Sequence, residues 1–449
     1  KNAKGTAELA HNVPIQPNTV FQVAELGNQF IAFGALLLAE KGKMDLEASV
    51  RKYLPELPDY AQTITVNRLM SHTNGLSSHV DLLLASGWAM SDWKTRPQVL
   101  KVLGSQNKLR FAPGERMDHS LTGFVLLADI IERISGLTFS DYMGQQVFQP
   151  LGMQHTAFVD QLSKIMPQAA PTYYQLNGEW RESTFGYFRL DATNLQTSIE
   201  DLALWIKNRQ QAQLGSPKTH EYMSTQVSLT NGDKADASMG QFVLDFKSRK
   251  GLYQTGMAYG RIGCLLHFPE ANFGVVALSN QDTYNTQRLA LQASEVCLPG
   301  FFKEPETEEE TVPRQVKGFI TLDQKALKKY EGHYWNDQDL YARSIYLKAD
   351  TLRYDRGEGN ESKLVPVSEN SFYMLDQPED VYISFEQEDG KEKMIFSILD
   401  FQYASTKFTP AEYNKKSFEA FEGYYFSKEL GAVYQIIYKD GKLVANHAR

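Results

Sequence analysis

The apolar pattern is continuous over residues 31–39, which follow Val23-Ala24-Glu25-Leu26-Gly27-Asn28-Gln29-Phe30. Almost every position of this stretch is apolar, so the pattern predicts a helix that is buried on all sides. Glu25 and Asn28 stand three positions apart at its start and therefore share one face of the helix N-terminus. That end of a helix attracts a carboxylate through the helix dipole and the unpaired backbone N–H groups.

Glu25 is the candidate functional residue of this segment. One interpretation is that its carboxylate only stabilises the helix start. The helix is too apolar to lie on the surface, however, so its acid has to be paired, hydrated in a pocket or functional.

Strand patterns dominate the second half of the chain. Residues 261–268 and 273–280 alternate or run apolar, as central antiparallel strands do. The acidic, proline-containing segment 303–316 is typical of a solvated linker. We therefore predict a first domain at 1–302 and a β-rich C-terminal domain at 317–449.

The C-terminal domain contains a weak internal echo. Tyr330-Glu331-Gly332-His333-Tyr334-Trp335 resembles Phe421-Glu422-Gly423-Tyr424-Tyr425-Phe426, and each copy opens a run of short strands. The first copy is long enough for a small up-and-down barrel. The second copy is too short to close a barrel alone, so it either completes the first or is truncated.

Length, composition and charge fit this division and exclude some partners. The chain of 449 residues is too long for one compact domain, and its 42% hydrophobic content supplies folded cores. A net charge of −8 argues against a nucleic-acid partner, and no apolar run reaches the length of a membrane span. His72, His79 and His119 are not spaced like zinc ligands, so we expect neither a metal nor a cofactor.

The residues around Glu25 resemble the class C β-lactamase and penicillin-binding-protein family of serine hydrolases. In that family the stretch is Phe-x-x-Ala-Ser-x-x-Lys, with the serine as acyl nucleophile and the lysine as its base. This chain has Phe21 and Ala24 in the same frame, but Glu25 at the serine position and Asn28 at the lysine position.

The second and third motifs of the family also have counterparts at the expected places in this chain, but their functional residues are replaced. The second falls at Asp118-His119-Ser120-Leu121, with His119 at the position of the tyrosine base and Leu121 at that of a substrate-contacting asparagine. The third, Lys-Thr-Gly or His-x-Gly, falls at Tyr253-Gln254-Thr255-Gly256. In the family this motif lies on an edge strand that binds the substrate carbonyl, and here Gln254 replaces the cation.

The resemblance implies a fold and a location. Frame motifs at 64–76, 148–156 and 191–205 follow the family in order. We therefore expect an α+β fold: an antiparallel sheet flanked by helices, an all-helical insert at about 45–185, and the barrel-like tail. Family analogy also implies a periplasmic or secreted protein.

The replacements suggest a changed chemistry rather than the family mechanism. Glu25, Asn28, His119 and Gln254 are polar, whereas decay of a buried site usually leaves small or apolar residues. Without an activated hydroxyl we expect no serine β-lactamase, peptidase or esterase activity. A carboxylate with a second acid suits hydrolysis of glycosides instead, with a small molecule or oligosaccharide as substrate.

The candidate catalytic residues of this hypothesis are Glu25, His119 and Asp118; whether Glu25 acts as acid or base stays open. Asp191 is the other candidate for the second carboxylate. The candidate substrate-binding residues are Asn28, Ser120, Gln254, Tyr259, Arg189 and Asp191. The alternative is an inactive relative of the hydrolases that binds a small ligand or a protein partner.

Overall fold

The computed structural model describes residues 2–89, 92, 94–119, 121–160, 165–176, 178–183, 194–258, 260–303, 318–338, 340–357, 359–375, 377, 380–388, 390–398 and 401–448. Its α-helices are α1 (Asn28–Glu40), α2 (Val66–Met70), α3 (His79–Ala85), α4 (Arg96–Gly104), α5 (Thr122–Ser135), α6 (Phe139–Met143), α7 (Ile199–Gln211), α8 (Pro217–Ser224), α9 (Thr286–Cys297), α10 (Gln324–Lys328) and α11 (Lys415–Glu419). A π-helical turn spans Gly144–Phe148, and 3₁₀ turns span Ala24–Gly27, Val50–Lys52, Asp59–Thr63 and Pro269–Ala271.

The strands of the first three hundred residues are β1 (Thr6–Glu8), β2 (Val13–Pro14), β3 (Phe21–Gln22), β4 (Ala157–Phe158), β5 (Tyr173–Leu176), β6 (Glu179–Glu182), β7 (Leu195–Thr197), β8 (Ala237–Ser238), β9 (Gln241–Phe246), β10 (Arg249–Ala258), β11 (Arg261–Phe268) and β12 (Phe273–Ser279). Those of the remainder are β13 (Gly332–Asn336), β14 (Tyr341–Lys348), β15 (Thr351–Asp355), β16 (Glu361–Pro366), β17 (Ser371–Met374), β18 (Val381–Glu388), β19 (Lys391–Ile398), β20 (Phe401–Phe408), β21 (Gly423–Ser427), β22 (Ala432–Lys439) and β23 (Lys442–Ala448).

The chain divides into two units. One contains residues 1–303 together with 418–449, and the other contains residues 304–417. The predicted linker 303–316 lies, apart from Lys303, outside the described residues. The predicted first domain ends one residue before the break in the first unit, but residues 418–449 belong to that unit and not to the barrel, unlike the predicted domain 317–449.

Helix α1 is buried as its apolar pattern predicts. Residues 28–38 are all buried, and the helix ends before Gly42, which adopts a φ of 68°. Phe30 and Phe33 pack against the ring of Trp205 on α7 at 4.5 and 5.0 Å between centroids. Burial of each such side chain contributes roughly 1.5–3 kcal/mol, so α1 anchors the core of the first unit.

The main sheet of the first unit is antiparallel, in the strand order β12-β11-β10-β9-β8. Strand β9 pairs with β10 only as far as Tyr253, whereas β11 pairs with β10 as far as Ala258. The last part of β10 therefore has one open edge. The 3₁₀ turn Ala24–Gly27 packs there, because Gly256 brings the strand backbone close to Val23 and Leu26.

The second unit contains a closed eight-stranded barrel, β13 to β20, in which each strand pairs with its sequence neighbour. Buried aromatic and aliphatic side chains, among them Tyr334, Leu352 and Phe372, fill its interior. The α+β fold with a barrel-like tail is therefore confirmed. The first copy of the internal echo closes this barrel without the second copy.

The predicted all-helical insert at 45–185 is wrong in its last part. Helices α2 to α6 occupy it as far as Met143, but β4 and the hairpin β5–β6 follow. The hairpin pairs Leu176 with Glu179 across Asn177-Gly178, and this dipeptide favours tight two-residue turns. The prediction missed that turn signal.

Within the described ranges, no helix is both long enough and apolar enough to cross a bilayer. The periplasmic or secreted location stays a prediction.

Replacing Gly256 by alanine should disrupt the contact between β10 and the turn before α1. A Cβ there would lie 2.0 Å from the carbonyl oxygen of Val23 and 2.9 Å from the nitrogen of Leu26. Backbone atoms cannot yield as a flexible side chain does, so we expect a loss of at least about 1–3 kcal/mol in the free energy of unfolding. Urea denaturation measures it.

Gly104→Ala on α4 is the matched control, because nothing lies within 4 Å of a Cβ at that position. Alanine is the better helix former, so this variant should be unchanged or slightly more stable. Equal stability of the Gly256→Ala variant and the parent chain would show that the close approach is not present.

Candidate functional site

The turn before α1 fixes the position of Glu25. The N–H of Val23 donates to the carbonyl oxygen of Leu195 at 3.0 Å, and the N–H of Leu26 donates to that of Val23 at 3.1 Å. Between them Ala24 adopts a φ of 44°, which costs a residue with a side chain of the order of 1–3 kcal/mol. The surrounding contacts thus maintain a strained backbone next to Glu25.

Backbone N–H groups hold the Glu25 carboxylate. Its Oε2 accepts a hydrogen bond from the N–H of Met257 at 3.2 Å, and the N–H of Glu25 itself also hydrogen-bonds to the carboxylate. These bonds and the positive charge of Arg261 favour the ionised form. Burial opposes them more strongly, and it raises the pKa of Glu25 from 4.5 to about 7.

Two buried side-chain amides belong to the elements that meet at Glu25, helix α1 and strand β10. Asn28, one turn after Glu25 on α1, is 1% exposed, and Gln254 on β10 is fully buried. The Nδ2 of Asn28 and the Oε1 of Gln254 have no hydrogen-bond partner among the residues that the structure describes. An unmet buried polar atom costs about 1–3 kcal/mol, so these two atoms are available for hydrogen bonds.

His119 lies in an aromatic cluster beside the third motif. Its ring centroid is 5.2 Å from that of His72 and 5.5 Å from that of Phe242, and Phe242 in turn contacts Tyr253 at 5.6 Å. The surface of His119 is exposed to solvent, but the atoms packed around its ring partly desolvate it and lower its pKa. The structure therefore brings the second and third motifs together through ring contacts.

Asp118 forms an ion pair with Arg110. Its Oδ2 lies 2.5 Å from Nη1 of Arg110, and its backbone N–H donates to the carbonyl oxygen of His72 at 2.9 Å. This candidate for the second carboxylate of glycoside hydrolysis is thus engaged by a guanidinium group.

The other candidate residues, Ser120, Tyr259, Arg189 and Asp191, lie outside the described residues. Their proposed roles stay predictions.

Arg261 also lines a small polar cavity. Its volume is about 160 Å³, and its polar lining consists of Gln22, Thr172, Glu182, Ser183, Gln196 and Arg261. This volume accommodates a side chain or a small anionic group. Arg261 is 3% exposed, so its charge reaches both this cavity and the Glu25 carboxylate.

Sequence reasoning missed the groups that hold Glu25. The N–H of Met257 carries no side-chain signature, and it lies more than two hundred positions from Glu25 in the chain. Gly256 was the available signal, since a glycine in a strand often marks a close backbone approach.

Among the residues that the structure describes, no group of three or more His, Cys, Asp or Glu side chains is placed to hold a metal ion.

A family model matches most of the first unit. Residues 1–295 match the family model described as Beta-lactamase. The chain belongs to the β-lactamase family. The resemblance seen in the sequence is therefore confirmed, while the roles of the individual motif positions stay predictions.

Several relatives of known name are similar to this β-lactamase-family chain. Penicillin-binding protein 4* of Bacillus subtilis (strain 168) is 26% identical over 397 residues, which are 82% of this chain and 84% of that protein. Protein flp of Staphylococcus aureus (strain N315) is 24% identical over 296 residues, and the chain spans 57% of its length.

Solved structures show the same fold. The octameric penicillin-binding protein homologue from Pyrococcus abyssi superposes with a TM-score of 0.61 at 22% identity, over 90% of this chain and 92% of that chain. The D-stereospecific amidohydrolase from Streptomyces sp. gives a TM-score of 0.55 at 19% identity, over 62% of this chain and 87% of that chain.

These comparisons correct two expectations about the activity. The hypothesis of a glycoside hydrolase is wrong, because the matching proteins are named for penicillin binding and for amide hydrolysis. The expectation of no serine β-lactamase, peptidase or esterase activity conflicts with the same findings, because the matching proteins are of the peptidase and amidase type. The structure also shows that Asp118, one of the two candidates for the second carboxylate, is paired with Arg110 and is not a free acid.

Replacing Glu25 by glutamine should stabilise the protein more at alkaline than at acidic pH. The folded-state pKa of Glu25, about 7, lies above the unfolded value of 4.5. The folded state is therefore penalised as pH rises between these values, by about 2–3 kcal/mol between pH 5 and pH 8. The glutamine variant has no such penalty, because its side chain does not ionise. Urea denaturation of the variant and the parent chain at pH 5 and pH 8 gives the difference in their free energies of unfolding at each pH.

Glu270→Gln is the control for that comparison, because Glu270 forms an exposed ion pair with Arg249. The effect of this substitution on the free energy of unfolding should differ by less than about 1 kcal/mol between the same pH values. If the two variants behave alike, the Glu25 carboxyl is not buried in the way described here.

Proposed function

We propose that this member of the β-lactamase family hydrolyses an amide bond of a peptide-like substrate, with the Glu25 carboxylate as its catalytic base. The observation that carries the proposal is the placement of Glu25: a buried carboxylate with a pKa of about 7, held by the N–H of Met257 at the start of a buried helix. A general base works best when its pKa lies near the operating pH.

The substrate class is supported by the names of the similar proteins. One is a D-stereospecific amidohydrolase and two are penicillin-binding proteins or their homologues. An amide next to a D-configured residue is therefore the first class to test. The cavity beside Arg261 is of a size for one side chain or carboxylate of such a substrate.

In the proposed reaction, ionised Glu25 takes a proton from a water molecule, and the water oxygen attacks the carbonyl carbon of the amide. The C–N bond then breaks, and the proton on Glu25 passes to the leaving nitrogen. The products are a carboxylic acid and an amine. A pKa of about 7 allows both proton transfers near neutral pH, because neither form of the carboxyl is strongly favoured.

The unpaired amides of Asn28 and Gln254 supply polar contacts in this scheme. The Nδ2 of Asn28 is a donor for a carbonyl oxygen, and the Oε1 of Gln254 is an acceptor for an N–H group. An amide bond presents these two complementary groups. Binding the substrate would satisfy buried atoms that have no partner among the described residues.

Ligand binding without turnover is the second candidate, and one observation favours it. The Glu25 carboxylate itself accepts the hydrogen bond from the N–H of Met257. Met257 lies on β10, the strand that binds the substrate carbonyl according to the family resemblance. A ligand carbonyl would have to displace the carboxylate from that donor. The relatives' names do not favour this candidate.

Replacing Glu25 by glutamine should separate the two candidates. We expect hydrolysis of D-amino acid amides to fall by about 10²–10⁴-fold, while the affinity for an unreacted amide changes little. Product release measured by chromatography gives the rate, and isothermal titration calorimetry gives the affinity. The parent rate should also fall as pH drops below about 7, because a protonated Glu25 cannot accept a proton.

The Glu270→Gln variant controls for the loss of one surface charge and should keep the parent rate. Equal rates for the parent chain and the Glu25→Gln variant would contradict the proposed base. Binding of an amide by both proteins with no turnover by either would favour the second candidate.

A further inference from the structure

A buried cationic side chain lies where α7, α8 and β11 of the first unit meet. Arg209, near the end of α7, is only 8% exposed. Two histidines accompany it, His220 on α8 at 8% and His267 on β11 at 5% exposure. Arginine keeps its positive charge in proteins, so a buried guanidinium needs hydrogen bonds and a negative charge nearby. None of the three residues belongs to the site around Glu25.

The packing of α7 on the sheet places Arg209 beside His267. Gly274 on β12 pairs with His267, and a Cβ at Gly274 would lie 2.9 Å from the side chain of Ile206 on α7. Arg209 follows Ile206 by three positions and therefore lies on the same side of the helix, one turn further on. Burial is the largest cause that lowers the pKa of His267 to about 4, and the charge of Arg209 contributes to it.

His220 orients the guanidinium group without neutralising its charge. Its Nδ1 accepts a hydrogen bond from Nη1 of Arg209 at 3.2 Å, and its Nε2 donates to the carbonyl oxygen of Leu214 at 2.9 Å. A ring nitrogen that accepts carries no proton, so the ring is neutral, with its proton on Nε2. Burial agrees with this assignment, because it lowers the pKa of His220.

The charge of Arg209 has no carboxylate partner among the described residues. Its other hydrogen bond runs from Nη2 to the Oγ of Ser224 at 2.9 Å. Burial lowers its pKa to about 10, which leaves the group ionised at neutral pH. The carboxylate of Glu40 is exposed and accepts hydrogen bonds from Ser216 and Thr219, at the start of α8.

Nitrogen atoms around this charge also lack protein partners. The Nε of Arg209 and both ring nitrogens of His267 are buried and have no hydrogen-bond partner among the residues that the structure describes. A neutral histidine carries one N–H, so the two side chains provide two N–H donors next to a positive charge. Buried polar groups are normally hydrogen-bonded, and spare N–H donors beside a cation are suited to an anion.

We propose that Arg209 and His267 bind a small monovalent anion of the halide class, which is chloride in ordinary buffers. The anion accepts hydrogen bonds from the Nε–H of Arg209 and the ring N–H of His267, and its charge compensates the guanidinium group. It thereby links α7 to β11. The hydrogen bonds of Arg209 to His220 and Ser224 link α7 to α8.

The surroundings favour a single-atom anion. The ring of Phe33 lies 5.5 Å from that of His220, and Ile206 packs directly on Gly274. Protein interiors are close-packed, so a site among these side chains suits an ion not much larger than a water molecule. A water molecule in the same place would accept the hydrogen bonds but would leave the charge of Arg209 uncompensated.

Thermal unfolding at constant ionic strength tests the site. Sodium gluconate, whose anion is too large to enter, is replaced stepwise by sodium chloride, and the unfolding midpoint of the parent chain is followed by circular dichroism. An ion that binds only the folded state stabilises it, so we expect the midpoint to rise by at least about 3 °C. No rise would overturn the proposal, with water as the occupant.

A parallel series replaces gluconate by formate and distinguishes a halide from a small carboxylate. A rise of the midpoint with formate and none with chloride would overturn the proposal in favour of a carboxylate ligand.

Arg209→Met removes the charge and the donors, and Lys218→Met is the matched control. Lys218 is an exposed residue of the same helix as His220, so its replacement removes one positive charge away from the site. We expect chloride to raise the midpoint of the Lys218→Met variant as it raises that of the parent chain, and to change that of the Arg209→Met variant by less than about 1 °C. Equal rises in the two variants would overturn the proposal, since chloride would then act elsewhere.

A measurement on the parent chain does not depend on whether the Arg209→Met variant folds. Crystals of the parent chain soaked in sodium bromide should show an anomalous-scattering peak within hydrogen-bond distance of the Nε of Arg209 and the ring of His267. A map with no such peak at this position would overturn the proposal.

Discussion

The candidate site depends on the close approach of β10 to the turn that precedes α1. Gly256 has no side chain at the point where a Cβ would lie 2.0 Å from the carbonyl oxygen of Val23. This approach leaves the N–H of Met257 facing Glu25, at 3.2 Å from its carboxylate. Strand β9 ends its pairing at Tyr253, so no neighbouring strand competes for that donor.

Two opposing forces then set the ionisation of Glu25. Removal from water favours the neutral acid, while the backbone N–H groups and Arg261 favour the carboxylate. The balance brings the pKa to about 7, where a carboxyl group can both accept and release a proton. This balance is what supports the proposed role of Glu25 as a base.

The sequence predicted the parts of the fold that rest on local pattern. The burial of α1 follows from apolar residues at almost every position, and the barrel follows from the echo that begins at Tyr330. The hairpin β5–β6 was missed because its signal is a single turn dipeptide. The attachment of residues 418–449 to the first unit was missed because it depends on long-range contacts such as that of Tyr434 with Ala85.

The site was predictable to a similar degree. Glu25, Asn28, His119 and Gln254 were proposed from motif positions; the structure gives each a specific environment, and their roles stay predictions. The N–H of Met257 was not identified, since a backbone group leaves no trace in the residue pattern. The substrate class was misjudged because the pattern of carboxylates suggested a second free acid, whereas Asp118 is paired with Arg110.

The titration of the Glu25 carboxyl is the most direct test of this account. Carbon-13 labelling of glutamate side chains, with the Glu25→Gln variant to assign the resonance, gives its midpoint by NMR. We expect a midpoint at about 7, well above the usual 4.5. A midpoint at or below 4.5 would show that the carboxylate is hydrated or paired with a cation, and the proposed role as a base would be contradicted.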